Sequence, residues 1–145
     1  MAGEMVKVEP DFATSHDNTA AIAKTFREIG VSKIHDPMRH VIVLDHCAPA
    51  ANEKLAQNHK DIRQFVSVQQ MPQFYNFHHG ICHQVMVEEG FALPGTPIVG
   101  SDSHSTTYGV TGALATGIVR SEITVHGQLL WNSSPGRGGA QHLES

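Results

Sequence analysis

Short apolar runs alternate with amphipathic stretches along the first hundred residues of this chain. Val6 and Val8 alternate with charged residues, which predicts a short edge strand ended by Pro10. Residues 41–44 form a continuous, mostly branched apolar run, which is typical of a strand covered on both faces. Further candidate strands lie at residues 74–75 and 98–99.

The segments between these runs carry the spacing of amphipathic helices. One apolar stripe at helical spacing is formed by Ile22, Phe26 and Ile29. Gly30 closes this helix, and we expect Asp17 or Thr19 to cap its first turn. Residues 51–66 predict a second helix, and the Gly and Ala spacing of residues 110–119 predicts a third that packs closely against a neighbour.

Strands and helices in this order predict an α/β fold with α/β/α layers, in which helices cover a mostly parallel sheet. Two polar clusters, Asp45-His46 and Asp102-Ser103-His104, each follow a predicted strand. The carboxyl ends of parallel strands meet at one edge of a sheet, so we expect the two clusters to share that edge. We assign residues 5–122 to an incomplete α/β domain and expect residues 123–145, rich in Gly and Ser, to form a disordered tail.

Composition and charge exclude several classes of function. The 145 residues suffice for one domain, and 40% of them are apolar. The formal charge of -4 gives no electrostatic reason to bind nucleic acid, and no apolar run is long enough to cross a membrane. The first residues have neither the basic region nor the apolar core of a signal peptide, so we expect a cytoplasmic protein.

Histidine is the compositional outlier, with 11 residues in the chain. Five are expected to be ordinary surface or loop residues: His35, His40, His59, His126 and His142. The other six lie in or beside motif-like segments: His16, His46, His78, His79, His83 and His104. Cys47 and Cys82 make neither a disulfide scaffold nor a complete metal site, and we expect both to be small buried residues.

Asp45 and His46 form the first candidate for acid–base chemistry. A carboxylate beside an imidazole raises its basicity and fixes its tautomer, which suits a general acid or base. Neighbouring residues on a strand point in opposite directions, so the pairing requires a turn. The alternative is a polar strand end that caps nearby backbone. For His83, taken alone, a hydrogen-bonded buried histidine is the simpler interpretation.

Asp102, Ser103 and His104 form the second candidate. They offer a carboxylate, a hydroxyl and an imidazole at a strand end, but not the Gly-x-Ser-x-Gly pattern of a nucleophile elbow. The alternative is a turn whose side chains cap their own backbone. A more remote alternative is the divalent metal site of a hydrolase, with His46, His83, Asp102 and His104 as ligands.

Several motifs occur in the order found in the aconitase superfamily. They are residues 15–20 (SHDNTA), 43–46 (VLDH), 49–53 (PAANE), 80–85 (GICHQV), 93–95 (LPG) and 99–109 (VGSDSHSTTYG). From about residue 5 to residue 122 the chain resembles this family, most closely the large subunits of 3-isopropylmalate dehydratase and their homoaconitase-like relatives. The resemblance implies hydro-lyase chemistry, in which a 2-hydroxy di- or tricarboxylic acid loses water and regains it at the neighbouring carbon. In the family a [4Fe-4S] cluster acts as the Lewis acid.

The resemblance also implies roles for individual residues. By it the catalytic residues are Asp45, His46, His83, Asp102 and His104. Asp45 and His46 match the pair that delivers a proton to the departing hydroxyl, and Ser103 matches a contact to a substrate carboxylate. Residues 109–117 match backbone that packs beside the cluster.

The chain also departs from the family pattern. The cluster-ligating cysteines of the family lie beyond the matching region, and neither Cys47 nor Cys82 matches a ligand position. The resemblance therefore predicts no metal ligand in this chain and no cluster bound by it alone. The serine base and the substrate-binding arginines belong to the small, swivelling-domain subunit and to the remainder of the large subunit, which are the expected partners. Residues 78–80 (HHG) stand where the family usually has Gly-Arg-Gly.

These observations predict a fragment of a large subunit of 3-isopropylmalate dehydratase, an enzyme of leucine biosynthesis. A fragment of a homoaconitase or aconitase is the alternative within the family. A non-catalytic, truncated remnant is the interpretation from a different class, and the divergent residues after Glu122 favour it.

Overall fold

A parallel β-sheet organises the molecule. The computed structural model describes residues 9–47, 49–119 and Ile123, and within them the sheet has five strands. In chain order these are β1 (Phe12–Ser15), β2 (His40–Val43), β3 (Phe74–Tyr75), β4 (Pro97–Gly100) and β5 (Leu114–Gly117). They lie side by side in the order β3-β2-β1-β4-β5, and every pairing is parallel.

Three α-helices connect the strands in the described part of the chain. They are α1 (Thr19–Glu28), α2 (Glu53–Gln69) and α3 (Cys82–Glu88), and two 3₁₀ segments, Pro37–Arg39 and Ser103–Thr111, precede β2 and follow β4. The α2 helix begins after Asn52, whose side-chain oxygen accepts a hydrogen bond from the amide of Leu55 at 2.9 Å. None of the helices in the described residues has the length and apolar character needed to span a membrane.

The helices cover both faces of the sheet. On one face α1 and α2 pack over Ile42 and Leu44, and on the other α3 and the 3₁₀ segment after β4 pack over Val41 and Val43. Alternate residues of this stretch thus enter opposite cores, which explains its continuous apolar run. The predicted α/β fold, with helix layers around a mostly parallel sheet, is confirmed.

The chain changes direction across the sheet at β1. This strand pairs with β2 on one side and β4 on the other, so the sheet grows first toward β3 and then toward β5. In doubly wound sheets the connections on the two sides diverge and leave a crevice outside the carboxyl ends of the central strands. The residues that follow β1 and β4 therefore lie where open α/β sheets bind ligands.

One predicted element differs from the structure, and one strand was not predicted. The edge strand predicted at Val6 and Val8 lies outside the described residues, and the central strand β1 was not predicted. The helix predicted over residues 110–119 is wrong: the 3₁₀ segment ends at Gly112 in the left-handed conformation (φ 85°), and β5 follows. Pairing of β5 with β4 satisfies the backbone of this segment, so the sheet overrides the helical spacing of its small residues.

Several side chains lie at depths that the pattern did not predict. His40 and His59 were expected at the surface but are 5% and 2% exposed, because β2 and α2 turn them into the interior. Ile29, the last residue of the predicted apolar stripe, is 44% exposed beyond the end of α1. Cys82 is buried as expected, whereas Cys47 is only partly buried because it lies in the turn after β2. His126 and His142 lie outside the described residues.

Candidate active site

The carboxyl edge of the sheet brings four imidazoles, among the described residues, around the carboxylate of Asp102. His46 Nε2 and His16 Nε2 lie 3.5 Å and 4.0 Å from Asp102 Oδ2. His83 Nε2 and His104 Nδ1 lie 3.7 Å and 3.0 Å from Asp102 Oδ1. The two polar clusters that end β2 and β4 therefore meet, as the parallel arrangement predicted, in the crevice beside β1.

The turn that carries Asp102 is built from local hydrogen bonds. Its Oδ1 accepts from the amide of His104 at 2.6 Å, and Ser105 Oγ donates to the Asp102 carbonyl oxygen at 2.7 Å. Burial by itself would raise the pKa of Asp102, but the hydrogen bonds from His104 and the nearby charge of His83 lower it below its ordinary value. The carboxylate is thus ionised at neutral pH, while Ser103 and His104 face solvent.

Close packing beneath this turn leaves no room for a side chain at Gly100. A Cβ atom there would lie 1.8 Å from Ser105 Oγ, which real structures do not allow. Asn18, which follows β1, also holds the turn before Asp102 through hydrogen bonds to Ser101. Its Nδ2 donates to the Ser101 carbonyl oxygen at 3.3 Å, and its Oδ1 accepts from Ser101 Oγ at 2.8 Å.

Asp45 and His46 form a side-chain pair in a turn after β2, as their predicted pairing required. His46 Nδ1 lies 2.5 Å from Asp45 Oδ1, and Asp45 Oδ2 accepts from the amide of Cys82, at the start of α3, at 2.6 Å. Burial opposes protonation of His46, but the hydrogen bond and negative charge of Asp45 outweigh it and raise the pKa of this imidazole. The pair therefore favours an imidazolium whose Nε2 faces the crevice.

His16 is a site residue to which the sequence assigned no role. Its ring stacks on that of His46, with centroids 4.1 Å apart and planes 25° apart. Burial first, and then the neighbouring His46, lower the pKa of His16, so this ring is neutral at neutral pH. Its buried Nδ1 has no hydrogen-bond partner among the described residues. The available signal was its place in the SHDNTA segment.

Asp17, which follows β1, connects the end of that strand to the turn after β2. Its Oδ2 accepts from the amides of Asp45 and His46 at 3.2 Å and 2.8 Å, and its Oδ1 lies 2.7 Å from His59 Nε2 on α2.

The prediction that Asp17 or Thr19 caps α1 is wrong. The residue before α1 is Asn18, and within the described residues its side chain makes no capping bond because it is engaged with Ser101.

His83 lies in the first turn of α3 and meets the opposite wall of the crevice. Its Nδ1 lies 3.2 Å from the hydroxyl of Tyr108, and Tyr108 is 1% exposed in the core beneath. Burial raises the pKa of Tyr108, so the hydroxyl keeps its proton. The side chain of His83 is thus hydrogen-bonded, as the simpler interpretation expected, but it is 23% exposed rather than buried, and its Nε2 faces Asp102.

The residues that could hold a metal ion fall into two groups. One comprises His16, Asp17, Asp45 and His46, and the other comprises His83, Asp102 and His104, with ligand atoms within 4.8 Å of one another in each group. The four residues of the remote hydrolase alternative are thus divided between the two groups.

The two cysteines do not suit a [4Fe-4S] cluster, which needs thiolates. Burial, and after it the charge of Asp45, raise the pKa of the Cys82 thiol to about 12. The described residues therefore do not fit such a cluster.

Comparison with known proteins identifies the family. The sequence profile of the aconitase family (aconitate hydratase) matches residues 2–134. This chain belongs to the aconitase family. The resemblance drawn from the motifs is thereby confirmed, and the four-imidazole crevice lies on the aconitase-family part of the chain.

The relatives similar to this aconitase-family chain include proteins named homoaconitase and proteins named 3-isopropylmalate dehydratase. It is 50% identical over 109 residues to a protein of Methanosarcina mazei named probable methanogen homoaconitase large subunit, an alignment that covers 74% of this chain and 28% of the relative. It is 44% identical over 118 residues to a probable 3-isopropylmalate dehydratase large subunit of Methanothermobacter thermautotrophicus, covering 81% and 28%. It is 42% identical over 137 residues to a mitochondrial homoaconitase of Aspergillus niger, covering 92% and 18%. The chain thus spans about a fifth to a quarter of the length of these relatives.

Proposed function

We propose that this chain supplies one wall of the active site of a hydro-lyase that acts on a 2-hydroxy di- or tricarboxylic acid. The observation that carries the proposal is the set of four imidazoles around Asp102, in the crevice between β1 and β4. The substrate that we favour is 3-isopropylmalate, in leucine biosynthesis, and homoaconitate or aconitate is the alternative. Relatives that carry either name support the shared substrate class.

In this proposal His46 protonates the departing hydroxyl. Its raised pKa keeps a proton on the ring near neutral pH, and Asp45 at Nδ1 leaves Nε2 as the donating nitrogen. As the carbon–oxygen bond breaks, the Nε2 proton passes to the hydroxyl and water leaves. The proton of the neighbouring carbon goes to a base outside this chain, which matches the serine that the family resemblance assigns to the small subunit.

The other crevice residues bind and orient the substrate. His104 hydrogen-bonds to Asp102 at 3.0 Å and His83 Nε2 lies 3.7 Å from the same carboxylate, so the imidazoles give this edge donors for a polycarboxylate. The exposed hydroxyl of Ser103 is placed to contact a substrate carboxylate. Asp45, His46, His83, Asp102 and His104 are therefore the proposed catalytic residues.

In this proposal, the cofactor and the partner subunit belong to the parent enzyme and not to the described residues of this chain. The family implies a [4Fe-4S] cluster in the parent enzyme, but Cys47 and Cys82 do not fit its ligands. We expect anaerobic reconstitution of this chain with iron and sulfide to give no stoichiometric cluster by absorbance and iron analysis. A bound cluster at one equivalent would contradict this part of the proposal.

The test is a dehydratase assay on 3-isopropylmalate, citrate and homocitrate, with and without a supplied small subunit and the remaining segment of the large subunit. We expect activity only in the complemented mixture, and a loss of about a hundredfold or more for His46→Gln. His35→Gln is the matched control, because His35 is exposed and precedes the amino end of β2, whereas the crevice lies at the carboxyl edge of the sheet. Complete inactivity with all three substrates would favour the non-catalytic remnant instead.

A further inference from the structure

A buried hydrogen bond between His59 and Asp17 lies beneath the Asp45–His46 turn. His59 is 2% exposed on α2, Asp17 is 9% exposed after β1, and their side chains meet at 2.7 Å between Nε2 and Oδ1. The other oxygen of Asp17 accepts from the amides of Asp45 and His46. One carboxylate thus joins α2, the end of β1 and the turn after β2.

We propose that His59 is a positioning residue, which acts through Asp17 to hold the Asp45–His46 turn in its proton-donating geometry. The role of that turn in proton transfer rests on the proposed function, whereas the contacts that position it do not. His59 itself lies too deep to touch a substrate in the crevice.

The geometry requires one particular tautomer of His59. Asp17 is ionised, because its hydrogen bonds to His59 and to the two backbone amides lower its pKa against the effect of burial. An ionised carboxylate only accepts hydrogen bonds, so Nε2 of His59 carries a proton. The ring is further oriented by Phe77, whose plane meets it edge-on at a centroid distance of 4.9 Å.

Three donors on one carboxylate fix the position of the turn. With Asp17 held by His59, its second oxygen faces the amides of Asp45 and His46, and the Asp45 side chain then reaches both His46 Nδ1 and the Cys82 amide. Without the His59 donor, Asp17 Oδ1 is left buried and unpaired, which favours protonation or rotation of the carboxylate. Either change releases the two amides and loosens the His46 ring.

The wild-type chain alone provides the first test. A long-range ¹H–¹⁵N NMR spectrum of the imidazoles should show His59 as the neutral or charged ring with a slowly exchanging Nε2 proton. A neutral His59 with its proton on Nδ1 would overturn the proposal, because Asp17 would then have no donor from α2.

The second test measures amide hydrogen exchange by NMR in the full chain. In His59→Leu we expect the amides of Asp45 and His46 to exchange about tenfold faster relative to the reference amides of Ile42 and Leu44. Those reference amides, three residues and one residue before Asp45, donate to the carbonyl oxygens of Gln73 and Tyr75 at 2.9 Å and 3.0 Å. A general loss of stability would accelerate both sets together and leave their ratio unchanged.

Two further variants complete the design. His59→Gln should restore most of the ratio, because a side-chain amide can donate to Asp17, and this variant also serves if His59→Leu fails to fold. His40→Leu removes a buried histidine at the other end of β2 and should leave the ratio unchanged. An unchanged ratio in His59→Leu, an unrescued ratio in His59→Gln if only that variant folds, or an equal change in His40→Leu would overturn the proposal. None of these readouts needs activity, so failure of the dehydratase assay would not affect them.

Discussion

The turns after β2 and β4 carry the same pair of residue types but are held in different ways. Each presents an aspartate followed closely by a histidine at the carboxyl edge of the sheet. Asp102 takes its hydrogen bonds from His104 and Ser105, two and three residues along the chain. The turn of Asp45 is held instead by Asp17, 28 residues away, and by the Cys82 amide, 37 residues away.

This difference separates local from tertiary positioning. The Asp102 carboxylate takes its backbone donor from its own turn, although Asn18 also bonds this turn at Ser101, and His104 is free to face solvent. A turn held by distant donors depends on the packing of α2, α3 and β1 around it. We therefore expect substitutions in the core to disturb the position of the turn around Asp45 more than that of the turn around Asp102.

The largest expected effect is on the tertiary turn. Asp17→Ala removes the carboxylate that pairs with the buried His59 and with two partly buried amides, so we expect the free energy of unfolding to fall by about 3–4 kcal/mol. Urea denaturation measures this loss. The matched control is Asp61→Ala, whose half-buried side chain accepts a hydrogen bond from Gln57 one turn away on α2, and it should change stability by less than about 0.5 kcal/mol. A loss below about 1 kcal/mol for Asp17→Ala would show that the turn does not depend on this carboxylate.

The next effect tests the packing under the local turn. In Gly100→Ala the new methyl group overlaps Ser105 Oγ, and we expect a loss of about 2–3 kcal/mol in urea denaturation. Gly109→Ala is the control, because no described heavy atom lies within 4 Å of a Cβ there. The double variant Gly100→Ala with Ser105→Gly should recover part of the stability. If Gly100→Ala were as stable as the wild type, the close packing under this turn would be refuted.

A third prediction concerns His40, which begins β2 at the edge of the sheet away from the site. It measures how burial without a carboxylate partner like that of His59 changes stability with pH. Burial lowers the pKa of His40 from 6.5 to about 4, so between these values the unfolded state binds more protons than the folded state. Stability should therefore fall as pH falls, by about 2 kcal/mol between pH 7 and pH 5. Urea denaturation of the wild type and His40→Leu at both pH values isolates this contribution. Equal slopes for the two proteins would contradict it.

The smallest effect is expected for the local carboxylate. Asp102→Ala removes the side-chain acceptor at the start of the 3₁₀ segment, and we expect a loss of about 1 kcal/mol. The same urea experiment compares it directly with Asp17→Ala. If the two losses were equal, the distinction between a locally and a tertiarily positioned turn would fail.

The alternation of apolar runs and the order of the motifs were enough to determine much of this protein. Strands at residues 41–44, 74–75 and 98–99, a helix closed by Gly30, a helix over residues 51–66, and the meeting of Asp45–His46 with Asp102–His104 at one edge were all predicted, and the structure has each element within a few residues. These features depend on local periodicity and on the rule that parallel strands end together. The hydrogen bonds to Asp102 within its turn belong with them, because their donors are its sequence neighbours.

Only the tertiary structure decided the burial of His40 and His59, the role of Asp17, the strand at β5 and the stacking of His16 on His46. Each depends on contacts between residues far apart in the chain, and periodicity reports only which face of an element a residue occupies. A histidine on a polar-looking helix face is buried when a carboxylate from another element meets it there. The sequence alone thus determined the fold class and the crevice, whereas the packing of α2 against β1 decided how one wall of that crevice is held.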